Sequence, residues 1–462
     1  MQTATAQLET RRQQATIGLG AAHRADFGQF FTPQPIAQFM GSLLQPTEQA
    51  CPSILAPGAG IGLLSAAALA RLGDGSVTAY ELEPEFQSAL RQTLDGFDGQ
   101  HRIESRDFIV DAVAQLAANR APGYDMAILN PPYRKIATNS VHRTLLRKIG
   151  VETSNLYTCF LACAVALCRP GGQVVAIVPR SFMNGPYFKP FRYWLLDRVA
   201  LTHIHVFNRR DSAFSDDGVL QENVILRLIV RGVQASVTIS TSQDQSFTGL
   251  RSAVLPFEAI VTPGDEERFI HIPNLDRSEI INLPGLPLRG IGLDVCTGPV
   301  VDFRLREHLC ESPEVGTAPL LYASHFVGGA MQWPRETRKP NAIRINTATQ
   351  SWLMRNGCYV LLRRFTSKEE KRRVVAYLLQ ADALPGEWLG VENHLNVIHQ
   401  DRHGLEPAVA RGLCRYLNSQ AVDDYFRTFS GHTQVNATDL RRLHYPSIDA
   451  LRALGQADKE KG

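Results

Sequence analysis

The sequence predicts an α/β fold over residues 53–230, because short apolar runs alternate there with amphipathic stretches. Such alternation is typical of a doubly wound sheet with parallel strands. The strand candidates are SILA, VTAYE, IESRDF, DMAIL, QVVAIVP, LTHIHVF and NVILRLIV. Helical patterns fill the gaps, for example at Leu63–Leu72 and Leu156–Leu167. After about Arg231, Gly and Pro become frequent and the alternation stops, so we expect a domain boundary between residues 235 and 260.

A further helix is expected before the first strand. Thr32 is a good N-cap residue, and Pro33 suits the first helical position. An apolar stripe then follows at helical spacing, made of Ile36, Phe39, Met40 and Leu43.

Composition limits the class of protein. The 462 residues are 44% hydrophobic and 20% charged, which is typical of a globular chain of two domains or three. No run is long and apolar enough for a membrane span, and the N-terminus lacks the apolar segment of a signal peptide. Eight cysteines occur without a CxxC pair, so we expect reduced thiols, no metal site and a cytoplasmic location. A net charge of +3 neither requires nor excludes nucleic acid.

The first predicted strand runs into a glycine-rich turn, ILAPGAGIG. Glycines allow a backbone to approach a ligand closely, although tight strand-to-helix turns also use them for packing. Glu81 ends the next strand, 23 residues after Gly58. A carboxylate at about this distance holds a ribose diol in nucleotide-binding α/β folds. The alternative is a solvated loop acid.

Two more strand ends carry similar groups. Asp107 follows the third strand and could accept a hydrogen bond from an exocyclic amine, or could cap the next helix. Phe108 could pack on a purine face. The fourth strand ends in Asn130, Pro131, Pro132 and Tyr133. Ligands bind at the carboxyl ends of strands in open α/β sheets, so the four ends together predict one site.

The Asn-Pro-Pro-Tyr corner suggests a reaction at an amine. The Asn130 side-chain oxygen and the Pro131 carbonyl can both accept hydrogen bonds from one –NH₂ group. Two fixed acceptors could localise the lone pair of a conjugated amine toward an electrophile. Tyr133 could stack on the ring that carries the amine, whereas a β-turn with a buried tyrosine is the structural alternative.

These motifs resemble those of the γ-class, TaqI-like N6-adenine DNA methyltransferases, and most of all the PstI/BsuBI-type modification methylases. The resemblance covers residues 25–230 well and the C-terminal half more loosely, through CTGPVVDFR and SGHTQVNATDL. It implies a Rossmann-like methyltransferase sheet with a C-terminal α+β target-recognition domain. It divides the chain into an N-terminal helical extension (1–24), a catalytic domain (25–240) and a target-recognition domain (241–462).

The resemblance also implies a cofactor, S-adenosylmethionine, and a flipped-out target adenine. The implied cofactor contacts are Thr32, Pro57, Gly58, Gly60, Gly62, Glu81, Asp107 and Phe108. The implied catalytic corner is Asn130, Pro131, Pro132 and Tyr133, with Phe214 as the second aromatic on the flipped base and Phe207 as its alternate. Ala56 departs from the family, which usually has an acid before the loop proline, and this predicts weaker cofactor binding.

Double-stranded DNA is the expected partner of the C-terminal half. The candidate DNA contacts are Arg134, Lys135, Arg363, Arg364, Gln434 and Asn436. Further basic or polar candidates are Arg143, Arg147, Lys148, Lys368, Lys371, Arg372, Arg373, Arg441, Arg442 and His432. The basic run could instead be a solvated helix face, and the SGHTQVNATDL segment a hydrogen-bonded hinge.

The expected function is site-specific adenine-N6 methylation within a restriction–modification system. No PD…ExK nuclease pattern is found, so the cognate endonuclease is expected to be a separate chain. Two alternatives remain open: N-methylation of RNA or of a protein glutamine, and a catalytically impaired DNA-binding homologue.

Overall fold

The chain folds into two compact units, residues 1–278 and residues 279–462. The computed structural model describes residues 32–207, 222–273, 275, 283–366, 370–430 and 434–457. No helix within these ranges is long and apolar enough to cross a membrane.

The first unit contains one large sheet with helices on both faces. Its helices are α1 Gln34–Ser42, α2 Leu63–Leu72, α3 Pro84–Leu94, α4 Phe108–Ala117, α5 Val141–Arg147, α6 Leu156–Leu167 and α7 Lys189–Leu196. Its strands are β1 Ser53–Pro57, β2 Ser76–Tyr80, β3 Arg102–Glu104, β4 Tyr124–Leu129, β5 Cys168–Pro179, β6 Val199–Phe207, β7 Asn223–Val230, β8 Val237–Ser242 and β9 Arg251–Leu255. Short 3₁₀ turns occupy Arg180–Met183, Pro186–Phe188 and Phe257–Ala259.

The strand order in the sheet is β3-β2-β1-β4-β5-β7-β6-β8-β9. The five neighbouring strands β3, β2, β1, β4 and β5 are parallel to one another, as predicted. The prediction of parallel pairing is wrong for β7, which is antiparallel to both β5 and β6, and β9 is antiparallel to β8. Parallel neighbours require a crossover, usually a helix. The last helix described in this unit precedes β6, so the strands from β6 onward do not follow the strand–helix alternation.

The alternation of side chains along the strands fills one core on each face of the sheet. In β1, Leu55 belongs to the cluster beside α4 and α6, whereas Ile54 and Ala56 belong to the cluster beside α1 and α2. All three are at most 1% exposed. Because a central strand is covered on both faces, apolar residues are required at successive positions.

Helix α1 begins one residue later than predicted. Its N-cap is Pro33, and no side chain caps it, so the prediction that Thr32 is the cap is wrong. The predicted apolar stripe is confirmed, since Ile36 and Met40 are fully buried in the core. The Thr32 hydroxyl instead accepts a hydrogen bond from Asn130, at the end of β4.

The second unit is α+β. Its strands are β10 Leu286–Pro287, β11 Asp294–Thr297, β12 Leu309–Cys310, β13 Thr317–Leu321, β14 Phe326–Val327, β15 Ala330–Met331, β16 Ala342–Arg344, β17 Met354–Arg355, β18 Tyr359–Arg363, β19 Ala376–Leu379, β20 Trp388–Val391, β21 Leu395–His399 and β22 His444–Tyr445. Its helices are α8 Pro407–Leu417, α9 Gln420–Phe429, α10 Ala437–Arg442 and α11 Ile448–Gln456. Short 3₁₀ turns lie at Leu288–Ile291, Asp302–Arg304, Arg306–His308, Ala323–His325 and Gln350–Trp352. The two larger sheets have the orders β11-β21-β18-β19 and β12-β16-β13-β20-β17.

The division between the units falls later than the predicted residue 240. It lies between residues 278 and 279. Strands β8 and β9 belong to the first sheet, since β8 pairs with β6 and β9 pairs with β8. The change of composition near residue 231 marks the end of the strand–helix alternation rather than the end of the sheet.

Candidate active site

A cavity of about 280 Å³ lies at the carboxyl ends of β1, β2 and β4 and at the start of α4. The predicted site residues that line it are Thr32, Gly58, Gly60, Glu81, Asp107, Phe108, Asn130, Pro132 and Arg134. Segments from four separate strand ends therefore meet at one place, as the sequence indicates.

Four of the predicted cofactor and catalytic residues do not line the cavity. Pro57 is buried at the end of β1, where it pairs with Tyr80 of β2. Gly62 packs against α3, where a Cβ atom would lie 2.9 Å from Leu90 Cδ1. Pro131 and Tyr133 also lie outside the lining.

Glu81 is buried and held by backbone N–H groups. The Gly60 N–H donates to Glu81 Oε2 at 2.7 Å, and the Glu83 N–H donates to Oε1 at 2.9 Å. Burial raises the pKa of Glu81 above its usual value, although the two N–H groups oppose the shift. With 5% exposure, Glu81 is not the solvated loop acid of the alternative interpretation. Each of its oxygens has a second lone pair for another donor.

Asp107 combines the two roles that the sequence left open. It is the N-cap of α4, where Oδ1 accepts a hydrogen bond from the Val110 N–H at 3.0 Å, and it lines the cavity. Its Oδ2 lies 2.7 Å from His142 Nε2. Burial opposes ionisation of Asp107, but the bonds from His142 and Val110 outweigh it, and the pKa lies below its usual value. The same hydrogen bond raises the pKa of His142.

The lining residues that were not predicted include His142 and Phe160. His142 lies on α5, and Phe160 lies on the buried helix α6. The Phe160 ring is 5.2 Å from that of Phe108, which is 5.1 Å from that of Tyr80, so the cavity has an aromatic wall. Nothing in the sequence distinguishes Phe160 from the other apolar residues of α6. A histidine nine residues after the corner is a weak signal by itself.

The corner is already hydrogen-bonded within the protein. The Asn130 Nδ2 group donates to Thr32 Oγ1 at 3.1 Å, and the Tyr133 hydroxyl donates to Asn130 Oδ1 at 2.9 Å. The Tyr133 hydroxyl also lies 3.3 Å from the Ile177 carbonyl oxygen. Burial, with a smaller effect of Tyr157, raises the pKa of Tyr133 well above its usual value, so this hydroxyl stays protonated.

The predicted second aromatic is Phe214, with Phe207 as its alternate. Phe214 lies outside the described residues. Phe207 is 4% exposed and packs against His205, with ring centroids 4.8 Å apart, and against Phe247. Phe207 therefore belongs to the apolar core cluster beside α1 and α2.

Ala56 does not line the cavity. It is 1% exposed, pairs with Ala79 and packs in the cluster beside α1. The described carboxylates that line the cavity are Glu81 and Asp107. Weaker cofactor binding because of Ala56 stays a prediction.

The charge of the basic residues that follow the corner, between Arg134 and Lys148, is partly neutralised by ion pairs. Arg143 and Arg147 both form ion pairs with Glu152. Arg134, Lys135 and Lys148 are exposed, and Arg134 also lines the cavity.

Several DNA-contact candidates in the second unit make hydrogen bonds within the protein. Arg373 is 2% exposed and donates to Ser430 Oγ at 2.9 Å. Arg441 donates to Asp294 Oδ1 at 2.7 Å. Asn436 caps α10, where its backbone N–H donates to Asp439 Oδ2 at 3.0 Å. Contact of these three side chains with DNA stays a prediction.

The remaining candidates are nearer the surface or lie outside the described residues. Arg363 is paired with Glu370 at 3.0 Å, and Arg364 donates to the Asn393 carbonyl at 3.1 Å. Gln434 forms an antiparallel bridge with Phe365, and Arg372 donates to the Asn418 carbonyl. Lys371 is exposed, and Arg442 lies in the last turn of α10. Lys368 and His432 lie outside the described residues.

The part of the chain that forms much of this sheet and its cavity matches a known sequence family. The family model described as Eco57I restriction-modification methylase matches residues 77–214, a range that includes Glu81, Asp107 and the corner. The chain belongs to the family of type II restriction–modification methyltransferases, as two full-length relatives establish.

The first relative is the type II methyltransferase M.BsuBI of Bacillus subtilis. It is 45% identical over 96% of this chain and 92% of its own length. The second is the type II methyltransferase M.PstI of Providencia stuartii, 40% identical over the same shares of the two chains. M.AccI of Acinetobacter calcoaceticus is 28% identical over 44% of this chain.

Among solved structures, the DrdV–DNA complex is similar in fold. The TM-score is 0.53 at 11% sequence identity, and the match covers 98% of this chain and 59% of that one.

Proposed function

We propose that this chain is a site-specific DNA methyltransferase that transfers a methyl group from S-adenosylmethionine to the N6 atom of an adenine. The observation that carries the proposal is the single cavity lined by Gly60, Glu81, Asp107, Phe108 and Asn130. The chain's membership of the type II methyltransferases supports the reaction class, and the order of its γ-class motifs supports the adenine target.

The chemistry of the lining fits S-adenosylmethionine. Glu81 would accept hydrogen bonds from the ribose diol, because its oxygens keep lone pairs beyond those used by Gly60 and Glu83. Phe108 and Phe160 would pack on the adenine ring, and Asp107 would accept from its exocyclic amine. Gly58 has a φ of +68°, which glycine adopts easily, and its lack of a side chain leaves space beside the Asn130 carbonyl, where the methionine part would lie.

The corner would act on the target amine. Asn130 Oδ1 and the Pro131 carbonyl would accept its two hydrogens, which localises the nitrogen lone pair toward the incoming methyl carbon. The bound cofactor supplies an electrophilic methyl group. In that transfer the nitrogen–carbon bond would form as the carbon–sulfur bond breaks, and the amine would then lose one proton to solvent.

DNA would have to present the base outside the helix. An adenine within a duplex cannot reach a corner at the end of β4, so the proposal includes base flipping, with Tyr133 and Phe214 stacking on the base. The exposed Arg134 and Lys135 would contact the backbone beside it. The second unit would read the duplex, and the cognate endonuclease would be a separate chain that acts on the same sequence.

The test is methyl transfer from labelled S-adenosylmethionine to unmodified plasmid DNA, tRNA or a protein extract, followed by nucleoside and amino-acid analysis. The proposal predicts label in DNA as N6-methyladenine, and predicts that Asn130→Ala abolishes transfer. Label recovered in tRNA, on protein glutamine or as N4-methylcytosine would contradict it. Absence of transfer at saturating cofactor would favour a catalytically impaired DNA-binding homologue. That alternative arises because Ala56 stands where the family usually has an acid.

A further inference from the structure

The two hydrogen-bonding groups of the Asn130 side chain each have a partner in the protein. Nδ2 donates to Thr32 Oγ1 at 3.1 Å, and Oδ1 accepts from the Tyr133 hydroxyl at 2.9 Å. Thr32 is 98 residues away in sequence and only 6% exposed. Both Thr32 and Asn130 line the cavity, so this contact joins the segment before α1 to the reactive corner.

The orientation of this amide matters because its oxygen accepts hydrogen bonds whereas its –NH₂ group donates them. A rotation of 180° about the terminal bond exchanges the oxygen and the –NH₂ group with almost no change of shape. Packing therefore distinguishes the two orientations poorly, whereas hydrogen-bond partners distinguish them well. Thr32 Oγ1 can accept from –NH₂, and the Tyr133 hydroxyl can donate to the oxygen, so both contacts favour the same orientation.

We propose that Thr32 is a positioning residue that keeps the Asn130 oxygen, rather than its –NH₂ group, directed at the target amine. This inference rests on the proposed function and concerns the same site. An amide oxygen has two lone pairs, so Oδ1 has the capacity to accept both from the Tyr133 hydroxyl and from the substrate amine. With the amide reversed, –NH₂ would face an amine that also donates, and the acceptor would be lost.

This role differs from the cofactor contact that the family resemblance implies for Thr32. A pure cofactor contact would change the affinity for S-adenosylmethionine. A positioning contact would change the methyl-transfer rate with the cofactor site saturated, because it acts on the group that meets the amine. The two roles are therefore separable by measuring affinity and rate on the same variants.

The experiment compares Thr32→Val with Thr32→Ser. Valine keeps the shape of threonine but has no acceptor, whereas serine keeps the hydroxyl. With unmodified plasmid DNA at saturating S-adenosylmethionine, we expect the single-turnover rate of Thr32→Val to fall at least about 10-fold. The cofactor Kd, measured by calorimetry, should change less than about 3-fold, and Thr32→Ser should stay within about 3-fold of the wild-type rate. Thr238→Val, on β8, is the matched control and should behave as wild type.

A weaker cofactor Kd with an unchanged saturated rate would overturn the proposal, and so would a serine variant as slow as the valine variant. A second measurement does not depend on activity. In protein labelled with ¹⁵N-asparagine, the Asn130 side-chain amide hydrogens should exchange about 10-fold faster in Thr32→Val than in wild type. Equal exchange would also overturn the inference. Failure of the wild-type protein to methylate DNA would instead contradict the proposed function, and the exchange measurement would still test the contact.

Discussion

At the scale of single residues, Glu81 is a buried carboxylate that the chain holds in one position beside the cavity. Its two oxygens are held by the N–H groups of Gly60 and Glu83, so the carboxylate is fixed in place by the two loops. Preorganised groups of this kind need little rearrangement when a ligand binds. The sequence spacing from Gly58 was enough to locate Glu81, because the strand–turn–helix unit has a nearly constant length.

Glu81→Gln should weaken S-adenosylmethionine binding by about 10- to 100-fold, since an amide offers one acceptor oxygen in place of two. Its –NH₂ group would also face a backbone N–H. Calorimetry of cofactor binding measures the effect, with the exposed Glu85→Gln on α3 as the control. Equal affinities for wild type and Glu81→Gln would show that Glu81 does not contact the cofactor.

The pair His142–Asp107 predicts a pH-dependent contribution to stability. The pKa of His142 is raised above 6.5, so its contribution is complete below about pH 6.5 and is lost as the pH rises through the raised value. The pKa of Asp107 is lowered below 3.8, so its contribution is lost only as the pH falls through that lower value. His142→Gln should therefore reduce the free energy of unfolding more at pH 6 than at pH 9. Urea denaturation at the two pH values measures this, and an equal reduction at both would contradict it.

The sequence did not reveal His142 or the Thr32–Asn130 contact. Each joins side chains that are distant along the chain, and each depends on which way a side chain points from its element. A motif records which groups end a strand, whereas the partners of those groups are fixed by tertiary packing.

At the scale of elements, the predicted strands and the helices Leu63–Leu72 and Leu156–Leu167 agree with the structure within a few residues. Apolar periodicity and turn residues are local signals, so they locate elements well. The antiparallel direction of β7 was missed, because strand direction depends on the connection rather than on the strand itself. The glycines of the turn differ in their surroundings. Gly58 and Gly60 line the cavity, whereas Gly62 allows α2 to pack closely on α3.

Gly62→Ala should destabilise the protein more than Gly73→Ala. Both glycines have positive φ, +91° and +82°, so alanine is strained by about 1–2 kcal/mol at either position. At Gly62 the added Cβ would also meet Leu90 Cδ1 at 2.9 Å, which adds about 1–3 kcal/mol, whereas nothing lies within 4 Å at Gly73. Urea denaturation of the two variants compares them directly. Equal losses would show that the contact between α2 and α3 adjusts freely.

At the scale of the whole molecule, two units of different architecture correspond to two tasks in the proposed function. The first provides the cavity and the corner, and the second is proposed to recognise the duplex. The sequence predicted an α+β second unit, whereas the DNA contacts assigned to it stay predictions. Charge and amide content do not tell whether an arginine is buried, as Arg373 is, or whether an asparagine caps a helix, as Asn436 does.

The central claim is that the corner of this chain methylates adenine N6 at one fixed DNA sequence. Sequencing of genomic DNA from cells that express the chain, with modified bases identified, tests it most directly. We predict N6-methyladenine at nearly every copy of a single short sequence, absent from cells that express Asn130→Ala. N4-methylcytosine at that sequence, or DNA without modification despite a folded and expressed protein, would contradict the claim.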